Sequence, residues 1–182
     1  MVDRCNSAIR RHDLPFFDRR PPRQCGRGLR RRRHGSLLGF GLPAAVGAKV
    51  ARPDVPVVDL DGDGSFVMTE QTLATAVEQS IPVVAVILND RSLGMVEQWQ
   101  RLMYNRRYIG IRFQNIPDFV KLAEAYGAQG LRATSIEGFQ KAVKTALNSK
   151  VTTVIDVPIG SEHDVVPFVP PGCGLPQQRG DY

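Results

Sequence analysis

Four stretches of the chain are apolar with little polar interruption: Val55–Leu60, Ile81–Leu88, Ala128–Arg132 and Val151–Pro158. Their lengths suit strands, and the nearly unbroken run from Ile81 to Leu88 predicts a central parallel strand covered on both faces. Amphipathic segments lie between them. Gly39-Phe40-Gly41-Leu42-Pro43 leads into Ala44–Ala51, whose small residues let a helix pack closely, with Pro43 acceptable in its first turn. Arg52-Pro53-Asp54 ends that helix. Met68–Ser80 is long enough for one crossover helix, with Leu73, Ala76 and Val77 on one face and Thr69 as its cap. Gly94–Met103 and Pro117–Tyr126 read as helices, the second with Pro117 in its first turn. Tyr104–Asn115, rich in Arg and aromatics, reads as an ordered loop. Ser135 caps a helix ending near Asn148, with Glu137 favourably placed in its first turn. Gly138 stands three residues on, so there is no full capping box. Strands alternating with helices predict an α/β fold: a doubly wound, mainly parallel sheet with helices on both faces.

At 182 residues the chain is long enough for one domain with a real core. Its 42% hydrophobic and 23% charged residues describe a soluble globular protein, and no apolar run approaches a membrane span. Cys5, Cys25 and Cys173 are odd in number and lack ligand spacing. They point to a reducing compartment, the cytoplasm, and away from a disulfide framework or a zinc site. His12, His34 and His163 have no catalytic context and read as solvent-side residues.

The net charge of +6 is unevenly distributed. Residues 1–34 carry 11 Arg and 3 Asp, a net of +8, whereas the remainder carries 13 Lys+Arg and 15 Asp+Glu. The segment 1–34, closed by Arg30-Arg31-Arg32-Arg33 and broken by Pro15, Pro21 and Pro22, should not bury a core and is expected to be disordered. As a nucleic-acid arm it lacks aromatic platforms, and as a transit peptide it has a single serine where such segments are Ser-rich. Arginine without lysine, stopping abruptly at a well-formed motif, favours a segment not native to the domain. The domain proper is therefore expected at 35–182, with Val165–Tyr182, rich in Pro and Gly, as an extended tail.

The candidate chemistry lies in Asp59–Met95. Val55–Val58 runs into Asp59-Leu60-Asp61-Gly62-Asp63-Gly64-Ser65, and Ile81–Leu88 runs into Asn89-Asp90. Asp63 and Asp90 thus stand just past the ends of two neighbouring strands. A hard cation and its phosphate ligand would be held there, at the carboxyl edge of a parallel sheet. Gly62 and Gly64 allow a tight turn and close approach of backbone N–H groups to phosphate oxygens. A bare Asp-Gly turn competes with that reading, and the spacing to Asn89-Asp90 is the stronger signal.

These residues resemble the signature of the thiamine-diphosphate enzymes. Gly39–Ala45, Gly62–Phe66, Leu93–Gln100 and Val169–Gly172 resemble the acetolactate (acetohydroxyacid) synthase large subunit in particular. The resemblance covers about residues 35–175, the diphosphate-binding domain of that family. It implies thiamine diphosphate and Mg²⁺ as cofactors, with Asp63, Asp90 and the Ser92 carbonyl as metal ligands. Gly62, Gly64, Ser65, Gly94 and Met95 would join Asp63 and Asp90 around the cofactor. Leu38 would support the thiazolium, or else be an ordinary core leucine. Met95, Val96 and Trp99 would line a substrate channel; Trp99 could instead be a half-buried core residue. The family usually has Asn at position 90, so Asp90 adds charge and should make cofactor binding depend more strongly on the metal. Arg106, Arg107 and Arg112 read as a solvated loop or subunit contact before an anion site.

The same resemblance implies decarboxylation of a 2-oxo acid and its ligation to a second one, in branched-chain amino acid biosynthesis, with a 2-oxo acid decarboxylase or oxidase as runner-up. No catalytic residue is expected in this chain, because the activating glutamate of the family belongs to a pyrimidine-binding domain. That domain would come from a homo-oligomer or a separately encoded partner, and FAD is expected only in the full-length family enzyme. The chain alone is expected to be inactive and to contact neither membrane nor nucleic acid.

Overall fold

The computed structural model describes residues 37–160, together with 166, 168, 169 and 172–174. His12, His34, His163, the arginine-rich segment and most of the tail lie outside the described residues. Four strands, β1 (Val58–Gly62), β2 (Val84–Asn89), β3 (Gln129–Arg132) and β4 (Thr153–Pro158), form one sheet in the order β1-β2-β4-β3. Every pairing is parallel. The helices are α1 (Gly41–Ala51), α2 (Asp63–Phe66), α3 (Thr72–Glu78), α4 (Gly94–Met103), α5 (Phe119–Ala125) and α6 (Ile136–Asn148).

Both faces of the sheet are covered, as the continuous apolar runs predict. On one face Leu42 and Val46 of α1, Phe66 of α2, Leu73 of α3 and Phe119 of α5 pack on Ala85, Ile87 and Val154. Phe66 and Phe119 meet edge to face, with ring centroids 5.6 Å apart. On the other face Ala142 and Ala146 of α6 pack on Val84, Val86 and Ile155. The central strands β2 and β4 therefore bury both of their sides. No helix among the described residues is long and apolar enough to cross a membrane.

Several boundaries differ from the sequence expectation. β1 begins at Val58 instead of Val55, because Pro56 has no N–H for a ladder. It continues through Asp61 and Gly62, opposite Ile87 and Leu88. β2 begins after Pro82, at Val84, whose N–H bonds Val57 O at 3.1 Å. β4 begins at Thr153 instead of Val151, where its N–H reaches Val83 O at 2.9 Å. Gly62–Ser65 is not a bare turn, since Asp63–Phe66 closes one helical turn. Thr69 does not cap α3, which starts at Thr72 without a side-chain cap. Pro117 precedes α5, and Asp118 caps it by accepting from Val120 N at 3.1 Å and Lys121 N at 3.4 Å. Ser135 caps α6 through Gly138 N at 3.0 Å, and the bounds of α4 match the expected helix.

Candidate functional site

The register of β1 against β2 pairs Gly62 with Leu88, so the residues that follow each strand emerge side by side at the carboxyl edge. Asp63 comes first after β1 and is 1% exposed. Its Oδ1 accepts from Gly64 N at 2.6 Å and its Oδ2 from Arg91 N at 2.7 Å. Arg91 adopts φ +60, which swings the chain after Asp90 back over Asp63. A side chain in that conformation costs on the order of 1 kcal/mol, a strain that clusters at functional sites. Asp90 Oδ1 accepts from Ser92 N at 2.9 Å, and its Oδ2 faces Gly94 at the start of α4. Ser92 Oγ is buried and makes no hydrogen bond of good geometry, although its dipole still helps to lower the Asp90 carboxyl.

Burial pushes the Asp63 carboxyl up to about 6, the neighbouring Asp90 adds to the rise, and the N–H groups of Gly64, Arg91 and Ser92 oppose it. Burial likewise raises Asp90. Among the described residues no arginine or lysine side chain pairs with either carboxylate. A buried and a half-buried acid with no cationic partner among the described residues are a charge excess, and a small oxygen-seeking cation would relieve it. The donors here are hard oxygens, so they fit Mg²⁺.

The surrounding residues fix the turn. A side chain on Gly64 would come within 2.5 Å of Leu93 Cδ2 and 3.2 Å of the Phe113 ring, so both side chains would have to shift to admit one. Gly62 is extended and open to solvent. Ser65 is buried, and its Oγ accepts from Gly39 N at 2.9 Å. That bond draws the Leu38 turn against the site, with Leu38 itself 50% exposed, so it is no ordinary core leucine. Met95 and Val96 are half-buried on α4, whereas Trp99 is 41% exposed and therefore not a core residue. The 104–115 loop is ordered against the site, as its composition predicts. Leu93 N bonds Ile111 O at 2.8 Å, and Phe113 N bonds Arg91 O at 2.9 Å. Arg112 pairs with Glu97 at 2.6 Å and lies over the Tyr108 ring, while Arg106 and Arg107 are exposed.

Two groups of buried polar residues escaped the sequence reading. Asp59 and Asp61, on the same side of β1, are buried against Gly41 at the start of α1. Their i, i+2 spacing in a strand was the available signal. At the other end of the edge, Asp156 accepts from Asn89 Nδ2 at 3.0 Å and Arg132 Nε at 2.9 Å. Arg132 also reaches Asp118 at 2.8 Å. A cavity of about 410 Å³, bounded in part by Asp90, Arg91, Asp118, Arg132 and Asp156, lies beside this group.

Residues 16–157 match the family "Thiamine pyrophosphate enzyme, C-terminal TPP binding domain", a span that begins inside the arginine-rich segment. The chain is 46% identical over 140 residues to "Acetolactate synthase, mitochondrial" of Schizosaccharomyces pombe, covering 77% of this chain and 21% of that protein. It is 44% identical over 136 residues to "Acetolactate synthase isozyme 2 large subunit" of Escherichia coli, covering 75% of this chain and 25% of that protein. Among solved structures it is similar to a Rhodococcus jostii thiamine diphosphate-dependent 4-hydroxybenzoylformate decarboxylase. That match has 40% identity and a TM-score of 0.65, over 69% of this chain and 24% of the other. The chain spans about a fifth to a quarter of the length of the curated relatives it matches.

Proposed function

Because the chain belongs to the thiamine pyrophosphate enzyme family as a C-terminal TPP-binding domain, we propose that it holds the diphosphate end of thiamine diphosphate through Mg²⁺. The observation that carries this reading is the Asp63–Asp90 pair at the carboxyl edge, Asp63 buried and Asp90 half-buried, with no cationic side chain paired to either among the described residues. Asp63 and Asp90 would give side-chain oxygens to the metal, and Ser92 its backbone. Gly62, Gly64, Ser65, Gly94 and Met95 would surround the diphosphate, and Leu38 would lie under the ring end. When bound, thiamine diphosphate supplies the nucleophilic carbon and the electron sink for breaking the bond beside a 2-oxo group. The residues of this chain bind and orient; Met95, Val96 and Trp99 on α4 would exclude water and guide the substrate.

For the whole protein we infer the acetolactate synthase reaction, in which a decarboxylated 2-oxo acid is joined to a second one. Identities of 44–46% to proteins of that name support it. The glutamate that begins the reaction would belong to a pyrimidine-binding domain supplied by a second copy or another chain. FAD belongs to the full-length family enzyme and not to this domain. This chain alone then binds cofactor without turnover. A plain 2-oxo acid decarboxylase is the second reading, favoured by the 40% identity to the benzoylformate-type decarboxylase.

Fluorescence of Trp99, the single tryptophan, reports binding directly. Thiamine diphosphate should alter it in the presence of Mg²⁺ and not in EDTA. Metal-independent binding, or none at all, would overturn the assignment. Acetolactate formed from pyruvate by the purified chain would overturn its inactivity alone.

A further inference from the structure

Gly39 is held on both its N–H and its C=O by side chains from the segment that follows β1. Ser65 Oγ accepts from Gly39 N at 2.9 Å, and Thr69 Oγ1 donates to Gly39 O at 3.0 Å. Gly39 has φ +80, and a side chain there would come within 3.0 Å of Thr69 Cγ2 and 3.2 Å of Met68 Cβ. The peptide groups, the backbone conformation and the packing at Gly39 all depend on residues 65–69. The turn so fixed carries Leu38, an apolar side chain held half in solvent.

This arrangement gives up ordinary local stabilisation. Thr69 lies two residues ahead of Gln71, the N-cap of α3, and α3 begins at Thr72 with no side-chain cap. Phe40, ahead of α1, supplies no side-chain cap either. Departures from local rules that leave an apolar side chain in solvent are expected at functional sites.

We propose that Ser65 and Thr69 are positioning residues, locking the Leu38 turn to the segment that carries Asp63. The two ends of a bound cofactor, its diphosphate and its ring system, are then gripped by one rigid unit. This inference rests on the thiamine diphosphate reading above and names the residues that couple the two ends of that site.

Calorimetry of the full chain in Mg²⁺, with thiamine diphosphate and separately with inorganic pyrophosphate, tests it. Pyrophosphate reports the anchor alone, and the ratio of the two affinities reports the grip on the rings. Thr69→Val keeps the methyl contact and removes the donor. It should weaken thiamine diphosphate by about threefold to tenfold, the effect of one net hydrogen bond, and leave pyrophosphate within about twofold. Leu38→Ala should lower the ratio by a similar factor. Combined with Thr69→Val it should add less than about twofold, because both act through one contact. Thr69→Ser retains the donor and should retain the ratio, which keeps the test open were Thr69→Val not to fold. A Thr69→Val protein with an unchanged ratio, equal losses for both ligands, or strictly additive effects would overturn the inference. Wild-type protein that binds both ligands equally would also overturn it, while leaving the diphosphate site standing. Wild-type protein that binds neither would overturn the function assigned above.

Discussion

Two acidic clusters stand side by side on the carboxyl edge of one sheet, and they are neutralised in different ways. Over β3 and β4, Asp156 is 2% exposed but accepts from both Asn89 and Arg132, and Arg132 extends to Asp118. Over β1 and β2, Asp63 is equally buried, yet its partners are backbone N–H groups and the charge that acts on it is that of another acid, Asp90. Buried carboxylates ordinarily bring their counter-charge with them, and the first cluster does. In the second, no cationic side chain among the described residues supplies the counter-charge, and under the proposed function a bound cation would. On the proposed function, that contrast separates a structural network from a candidate binding site more sharply than burial or acidity alone.

The largest effect should come from Asp63→Asn. It keeps an acceptor for Gly64 N or Arg91 N and removes the charge the metal needs. Mg²⁺-dependent binding of thiamine diphosphate, followed by Trp99 fluorescence, should weaken by about a hundredfold, the scale of losing one partner of a buried charge pair. Far-UV circular dichroism should remain that of the wild type. Unimpaired binding would leave the uncompensated cluster without a role.

Arg132→Met should do the reverse. It leaves Asp156 buried with Asn89 as its remaining partner among those described, at a cost of about 2 kcal/mol, reduced from the fully buried case because Arg132 is 44% exposed. Denaturant unfolding should show that loss, while Mg²⁺-dependent cofactor binding stays within about twofold. A loss of metal affinity with stability intact would mean that the two clusters act as one.

Asp90→Asn tests the charge excess itself. With two carboxylates the site should hold a divalent cation before any diphosphate arrives; with one, Mg²⁺ alone should bind about tenfold more weakly, since ligand charge sets cation affinity. The dependence of thiamine diphosphate binding on Mg²⁺ concentration should become shallower. An unchanged Mg²⁺ titration would show that the Asp90 charge never faces the metal.

Much of this was legible in the sequence because it depends on local pattern. Nearly unbroken apolar runs located all four strands, and the segments between them, with their small residues, caps and apolar faces, located α1, α3, α4, α5 and α6. The distance from Gly62-Asp63-Gly64-Ser65 to Asn89-Asp90 located the two carboxylates before any fold was known. Edges were less legible where proline intervened: Pro56 and Pro82 delay β1 and β2 by removing ladder donors. The short α2 was read as a turn because Gly62 and Gly64 mask a helical Asp63–Phe66. The Arg132–Asp156 bond joins residues 24 apart on different elements, and Thr69 bonds a carbonyl 30 residues away. Such pairings leave no periodic trace, so the cap assigned to Thr69 and the neutralised cluster both needed the fold.

A third acidic pair allows the smallest and most delicate test of the same principle. Asp59 and Asp61 lie beneath the start of α1, and Asp59 Oδ2 is buried without a hydrogen-bond partner. Burial first, and the charge of Asp61 second, push the Asp59 carboxyl up to about 8. An unfolded aspartate titrates near ~3.9. The folded state therefore binds this proton more tightly, and the contribution to stability is fully present below about pH 4. It is lost as pH rises, and is gone once pH passes about 8. Asp59→Asn imitates the protonated form at every pH and can donate toward Asp61. It should change stability little at pH 4 and raise it by about 1 kcal/mol at pH 9, measured by urea unfolding at both values. The gain is smaller than the raised carboxyl alone implies, because the amide must also satisfy both of its N–H groups in the same space. A variant less stable than wild type at pH 9 would mean that Asp59 is held there as a compensated charge. The distinction between the two ends of the sheet edge would then no longer rest on burial without a partner.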